Sequence, residues 1–551
     1  MALQVQSRSP NFRVVFYLKS NGIQTPSTID TAATDTLGSA LRRSVVSITT
    51  QRRLGQAGTF EITLLPDATG QWQDAISPMD YVEIYMTGSP AGATAIPIRF
   101  RGFVDSATYS FSIAGGVPRP VVIIAGRDFT KIPLEQRFYP MGDTLPALAP
   151  INAFTQALAK LHPVSQSSVP TSTEISKAAN STQSSLAPDQ VMAVLFNDTL
   201  LPFFTTIFQN LGITANPIQL DASLAATDAA ALSLQAISPP ILSDNYDAIA
   251  ARIWQIMTEY SNAPFYELFF EDYDTAQYLV FRPAPWRDAH QNFISGVYTS
   301  LLSTYGLANT YAPEPALITI SPDEIETITL ARTDAYGAVA NFFITYASVF
   351  ATLTYAQARI TSATGLTATS NPSILGSPPT FSTPADLPSD WRNFGFRPLD
   401  VSTKYIPFGQ YDSKTALSAA QQKAQGIALA LNNRLTAAFS YGEFLESGMI
   451  TLIRDPQQDS ANPIHLGDYV SLSPTLSHSF GSDLSSQTSL TGDGSFAYVE
   501  LISYEMVVPL NQTNGSYRIR LGVTRGEGYL NRHAAARKLA PTITISSPST
   551  P

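Results

Sequence analysis

The 551-residue chain contains no cysteine, which excludes disulfides, thiolate nucleophiles and Cys-ligated metals. Charge is scarce as well. Asp, Glu, Lys and Arg make up 14% of the residues, against about 25% in ordinary soluble domains. Ser, Thr, Ala, Gln and Pro fill the surface instead. That composition suits a protein packed into an assembly, and equally a stable particle-borne or extracellular protein with a neutral surface. There is no long basic run: Lys and Arg stand singly or in pairs (Arg42-Arg43, Arg52-Arg53). With a net charge of −10 and a pI near 5.1, no nucleic-acid-binding surface is indicated. The first twenty residues, MALQVQSRSPNFRVVFYLKS, lack the unbroken apolar core of a secretory signal. No apolar window of about 18 residues stands out, so no membrane insertion is expected. Synthesis and folding in a cytoplasm follow, with any later release as part of a particle.

What is present is apolar bulk: 44% of residues are hydrophobic and 10% aromatic. At this length three or four domains are expected. Residues 1–130 read as antiparallel β. Phe60, Ile62 and Leu64 alternate with Thr59, Glu61 and Thr63, and Val82, Ile84 and Met86 with Tyr81, Glu83 and Tyr85, the period of a half-buried strand. Val121 to Ala125 is continuously apolar, as for a strand buried on both faces. Residues 131–325 read as an inserted helix-rich α+β domain. A helix is expected over 244–262, capped by Asp244 or Asn245, with Ile249, Ile253, Trp254, Met257 and Tyr260 on one face. A hairpin follows from Phe265 to Phe270 and Tyr278 to Phe281. β character returns over 326–360 and 439–530. Between these, 361–438 holds a Ser/Thr/Pro-rich loop and a helix at 412–438, and 531–551 is a tail. Ser/Thr-rich stretches at 163–190, 361–391 and 473–496 read as exposed loops.

The two β-rich ends share an ordered set of signals. Ile62-Thr63-Leu64-Leu65-Pro66-Asp67 is followed, thirteen residues after Asp67, by Asp80-Tyr81-Val82. Ile450-Thr451-Leu452-Ile453-Arg454-Asp455 is followed at the same spacing by Asp468-Tyr469-Val470. Val104-Asp105 leads to Thr108-Tyr109 as Val499-Glu500 leads to Ser503-Tyr504. Each half closes on a strand ending in arginine: Val121, Ile123, Ala125 and Arg127 beside Ile519, Leu521, Val523 and Arg525. Any one match is worthless, because Ile, Thr, Leu and Val are the common strand residues. Four in order, two at identical spacing, indicate one β-module built twice around a helical insert. Ile62 should superpose on Ile450 and Val82 on Val470.

At these residues the sequence resembles the baseplate hub proteins of contractile-tailed phages, the late-control-protein type included. The matching segments are Gly102-Phe103-Val104-Asp105 leading to Gly126-Arg127-Asp128; the Trp254 helix followed by Pro264-Phe265 and Leu279-Val280-Phe281-Arg282-Pro283; and Leu466-Gly467-Asp468-Tyr469-Val470 with Tyr498-Val499-Glu500 and Thr524-Arg525-Gly526. They run from Gly102 to Gly526 in the family's order. The resemblance implies a mainly β fold with two tail-tube-like antiparallel β-barrel modules and an inserted helix-containing domain. It implies a homotrimer that adapts the six-fold tail tube to the three-fold central spike and encloses a channel. Implied partners are the tail tube or its initiator and the spike, with wedge and tape-measure proteins. DNA would be transiting cargo only, sliding past a neutral to acidic wall, and the place would be the tail baseplate of a virion assembled in a bacterial cytoplasm.

Enzyme chemistry has little to rest on, and no cofactor or metal is expected. His162, His290, His465, His478 and His533 stand far apart without metal spacing, and no Gly-x-Ser-x-Gly elbow, Walker loop or dinucleotide fingerprint is present. A tail-associated cell-wall hydrolase would need two nearby carboxyls. Glu267, Glu271, Asp272 and Asp274 form the densest acidic cluster, but Glu271, Asp272 and Asp274 fall between strands, where solvated turn acids are expected. Asp80 and Asp468 read as turn or strand-start residues. A non-catalytic adhesin or carbohydrate-binding protein is the alternative that the aromatic content invites, although core packing accounts for the aromatics first.

Overall fold

The computed structural model describes residues 10–19, 27–67, 71–88, 96–114, 117–136, 187–214, 217–232, 235–236, 252–261, 263, 265–273, 275–284, 317–334, 342–351, 354–363, 369–371, 398–402, 405–406, 431, 444–456, 464–472, 497–508 and 515–525. The first elements are β1 (Asn11–Leu18), β2 (Ser27–Asp30), α1 (Thr36–Ser44), β3 (Val45–Arg53), β4 (Thr59–Leu64), α2 (Trp72–Ala75), β5 (Tyr81–Thr87), β6 (Ile98–Ala114), β7 (Val117–Arg127) and α3 (Lys131–Glu135). A middle segment follows with α4 (Pro188–Asn210), β8 (Ile218–Asp221), α5 (Ser223–Leu232), β9 (Gln235–Ala236), α6 (Ile253–Tyr260), β10 (Tyr266–Asp272) and β11 (Gln277–Pro283). Strands then dominate: β12 (Leu317–Ile320), β13 (Ile325–Asp334), β14 (Phe342–Ala351), β15 (Thr354–Ala363), β16 (Thr369–Asn371), β17 (Pro398–Ser402), β18 (Tyr405–Ile406), β19 (Phe444–Leu452), β20 (Tyr469–Leu472), β21 (Ala497–Val507) and β22 (Ser516–Arg525). The fold is mainly β.

Among the described residues both β-rich ends meet in one 13-stranded sheet, in the order β13-β19-β22-β21-β3-β4-β7-β6-β5-β1-β2, with β12 and β20 attached beside β21. Five strands of each half run in the same order, β3-β4-β7-β6-β5 and β13-β19-β22-β21-β20, and every neighbour is antiparallel. Registers agree as well: Ile62 lies opposite Ile48 and Ile124, and Ile450 opposite Ile328 and Leu521. Two irregularities recur at matching places. The β3–β4 register shifts between Val45 and Ser47, as β13–β19 does between Ile325 and Thr327. The β6–β7 register shifts between Val104 and Ser106, as β21–β22 does between Val499 and Leu501. Bulges of this kind are fixed features of a fold and re-aim the strand that carries them.

The same registers correct one expected equivalence. Ile124, not Ile123, stands where Leu521 stands, so Arg127 corresponds to Thr524 and not to Arg525. A shift of one residue exchanges the two faces of a strand. Val122 and Ile124 are buried while Val121, Ile123 and Ala125 are partly exposed, so this strand is also not buried on both faces as expected. Boundaries shift at β12, which lies within the expected helical insert yet pairs parallel with β20 of the sheet. They shift also at β14 and β15, which start within the expected second module (326–360) yet pair with each other and with β16 and β17 in a separate four-stranded sheet. Expected features at 244–251, 412–430, 432–438, 473–496 and 531–551 lie outside the described residues; Leu431 is buried.

Two cores hold these layers. One is the sheet interior, where Phe16, Ile48, Ile62 and Ile84 share a cluster with Ile450, Tyr469, Ile502 and Leu521 from the other half. The other packs α4, α6 and the β10–β11 hairpin against the first half through Tyr81, Phe103, Phe129, Phe204 and Phe208. Their rings lie 5.3–6.3 Å apart, the spacing of tilted and stacked aromatic contacts. Helix α4 corrects another expectation. It is 23 residues long and its most apolar 18-residue window has mean hydropathy 1.6, enough by length and composition to cross a membrane, yet 44% of that window is buried in the fold. Leu195, Phe196, Leu200, Phe204 and Phe208 face that core. A π-helical turn at Leu195–Leu200 sits just ahead of Pro202, which has no amide to donate and crowds the carbonyl four residues before it.

Candidate functional site

Each half carries the same tight turn ahead of its third repeated strand. Ser77 donates its amide to Asp80 Oδ2 at 2.7 Å, and His465 donates to Asp468 Oδ2 at 2.8 Å. The carbonyls of Asp80 and Asp468 accept from the amides of Val104 and Val499, both at 2.9 Å. Met79 and Gly467 donate back to the carbonyls of Val104 and Val499, at 2.9 and 3.0 Å. Both occupy the left-handed region, with φ of 72° and 79°. Glycine enters that region freely and methionine does not. Asp80 and Asp468 are therefore buried turn acids, as their strand-start position indicates. Burial raises both above the ordinary carboxylate range against the pull of their amide donors, Asp468 to about 6 with His465 and Arg282 also opposing.

Between the two halves lies a buried charged junction. The β10–β11 hairpin inserts Glu271 and Asp272, whose side chains are 0% exposed, beside Arg52 of β3. Arg52 Nη1 bonds Glu271 Oε1 and lies 3.3 Å from Asp272 Oδ2. Glu271 Oε2 accepts the Leu466 amide at 2.8 Å, and His465 Nδ1 lies 3.4 Å from Oε1. Asp272 accepts the Arg101 amide at 3.1 Å and Gln277 Nε2 at 3.0 Å. Arg101 in turn donates to the Tyr273 carbonyl at 2.6 Å. Burial pushes both acids up. At Glu271 the Arg52 charge, with His465 and the Leu466 amide, outweighs it and holds the carboxyl below its ordinary value. At Asp272 burial prevails over Arg52 and Arg101, and the neighbouring Glu271 adds to the rise.

Two further contacts span the same region. Arg282 of β11 donates to Glu267 at 3.0 Å and to the Gly467 carbonyl at 3.1 Å, and Glu267 also accepts the Tyr498 hydroxyl. Arg99 of β6 pairs with Asp455 at 2.5 Å and stacks over Tyr504, 4.8 Å from the ring centre. Asp455 also accepts the Tyr517 hydroxyl at 3.2 Å. The junction thus ties β3 and β6 of the first half, the hairpin, and the turn and β19 end of the second half into one network. Such buried ion pairs favour one arrangement of the parts they join, because each charge is satisfied only where its partner lies.

The repeated residues fall into distinct roles. Ile62, Val82, Val104, Ile450, Val470 and Val499 are core, with Tyr81, Tyr469 and Tyr504 buried beside them. Asp67 is half-buried after β4. Arg127 pairs with Asp105 at 2.6 Å and with Glu135, while Arg525 ends β22. Tyr109 is exposed. Glu271 and Asp272 overturn the expectation of solvated turn acids: strand β10 runs through both, and the junction covers them. Buried and ion-paired, neither reaches a sugar as a glycosidase acid or base must. Asp274 and four of the five histidines lie outside the described residues. Among the described residues no group of three or more His, Asp or Glu is placed to hold a metal ion. The sequence reading missed Arg52, Arg99, Arg101 and Gln277. Arg52 carried a signal, since it follows Ile48 and Thr50 on the inward phase of β3.

No family model matches the chain, and no curated protein matches it. Solved structures similar to it include a tail protein from Neisseria meningitidis MC58, with TM-score 0.41, 11% identity, and 95% of this chain and 99% of that one covered. Prophage tail protein gp18 from Listeria monocytogenes EGD-e matches with TM-score 0.38, 10% identity and coverage of 96% and 100%. The E. coli c3393 protein, described as a type VI secretion component structurally similar to T4 bacteriophage tail proteins gp27 and gp5, matches with TM-score 0.29, 7% identity and coverage of 88% and 74%.

Proposed function

We propose that this chain is a non-enzymatic structural hub of a contractile-tail baseplate or a related injection device. Three copies present six similar β units about an open channel and so adapt a six-fold tube to a three-fold spike. The reading makes the two halves copies of one tube-like module. The supporting observation is that five strands recur in the same order, with the same two bulges and the same left-handed turn, inside one chain. A chain carrying one unit twice supplies six units at three copies, which is what a junction between six-fold and three-fold parts requires.

The buried junction suits that role. It sets the second half at a fixed place relative to the first, so the tube-facing ring is stiff before any partner docks. Tube and spike proteins are the partners in this reading, with wedge and tape-measure proteins at the outside and DNA or an effector passing through. Native mass measurement tests it. The expected species is about 180 kDa, three times the 59.5 kDa chain, and a purified particle holding six copies or one would overturn it.

A further inference from the structure

Strand β21 serves two neighbours along one edge. Ala497 and Tyr498 pair with β20, and from Leu501 to Val507 the same edge pairs with β3 of the first half. Its counterpart β6 begins in the same way, pairing with β5 from Ile98 to Phe103. Beyond Val104 that edge of β6 has no strand partner among the described residues, while its other edge stays paired with β7. Strand β13, the counterpart of β3, ends the sheet and pairs only with β19 among the described residues. Within one chain, then, one junction between halves is made and the matching one is left open at both of its edges.

Side-chain exposure follows the same division. Tyr504 and Met506 on β21 are 2% and 0% exposed, whereas their counterparts on β6, Tyr109 and Phe111, are 52% and 53% exposed. An open strand edge flanked by two bare aromatics invites pairing with another strand unless something covers it. We propose that β13 of a second copy covers it, pairing antiparallel with β6 and repeating between chains the junction that β3 and β21 make within one. Carrying the β3–β21 register across sets Tyr109 opposite the partner's Leu330, Ser110 opposite the partner's Thr329 and Phe111 opposite the partner's Ile328. The contact is head-to-tail, so each copy offers β6 to one neighbour and β13 to the other. Only the closing of the ring at three copies rests on the hub reading.

The absence of cysteine gives a clean test. Directly opposed residues of an antiparallel pair lie about 4.5–5.5 Å apart at Cα, within disulfide reach. Ser110→Cys with Thr329→Cys, both at exposed positions, is oxidised over a concentration series and run without reductant. Thr49→Cys with Glu505→Cys, opposed within one chain, is the control and closes without change of mass. The expected result is linked chains at least tenfold above either single-cysteine variant, ending at three. Linked chains that run on past three keep the edge pairing and overturn the trimeric hub. A trimer by mass that stays unlinked while the control closes overturns the edge pairing and keeps the hub. A monomer unlinked at every concentration overturns the pairing.

Discussion

Arg52→Met removes the guanidinium that Glu271 and Asp272 share. Methionine keeps most of the apolar stem, so the loss is chiefly of charge. Asp272 retains Arg101, whereas Glu271 retains the amides of Leu466 and Asp272 and the His465 ring. With both carboxylate side chains 0% exposed, removal of one member of such a pair costs about 3–5 kcal/mol. The sign of the pH dependence follows from Glu271, whose carboxyl the wild-type site holds below its ordinary value. That contribution is present above the unfolded-state pKa and is lost as pH falls through the folded one. In the variant Glu271 takes a proton more readily, so the deficit is largest near neutrality and shrinks toward pH 4. Urea unfolding at pH 7.5 and 4.5 measures it, with hydrogen exchange at β10–β11 to locate the loss, since a chain of this length need not unfold in one step. Adding Glu271→Gln should recover more than half of the deficit. A loss under about 1 kcal/mol at pH 7.5, or an equal loss at pH 4.5, would refute the junction as a paired-charge device.

Asp128, buried and pushed up to about 7 with Gly58 and Thr130 amides opposing, keeps its proton in the fold where the unfolded chain releases it. Stability should therefore fall as pH rises from about 4 to 7, by up to about 4 kcal/mol from this group, and level off above. Asp128→Asn should flatten that slope in urea midpoints taken from pH 5 to 8, and an unchanged slope would contradict the assignment. Gly467→Ala places a methyl 2.1 Å from Arg282 Nη2 at a φ of +79°. It should cost about 1–2 kcal/mol from backbone strain and displace Arg282 from the Gly467 carbonyl. A melting temperature within error of wild type would mean that the turn is not built as described.

The repeat was legible where no insertion intervenes. Between Ile62 and Val82, and between Ile450 and Val470, the spacing is the same, so the shared turn acids Asp80 and Asp468 stood out. The last repeated strand was misplaced by one residue because Val121, Val122, Ile123 and Ile124 are all apolar. Such a run does not declare which face is inward; only the pairing of Ile124 with Ile62 does. The charged junction was illegible for a different reason. Glu271 and Arg52 are 219 residues apart, and a turn-like acidic run looks solvated until the sheet brings an arginine to it. A helix-rich segment was legible around α4, but its apolar length was not, because Asn197, Asp198 and Pro202 break the run although the buried face is continuous. The open edge of β6 could not be read at all, since Tyr109 and Tyr504 look alike in sequence and differ only in what covers them.

A reconstruction of an assembled particle containing this chain tests the central claim most directly. The account predicts three copies about one axis, with both halves of each chain in a single ring of six β units around an open channel. One copy, six copies, or a ring in which only one half of each chain takes part would contradict it.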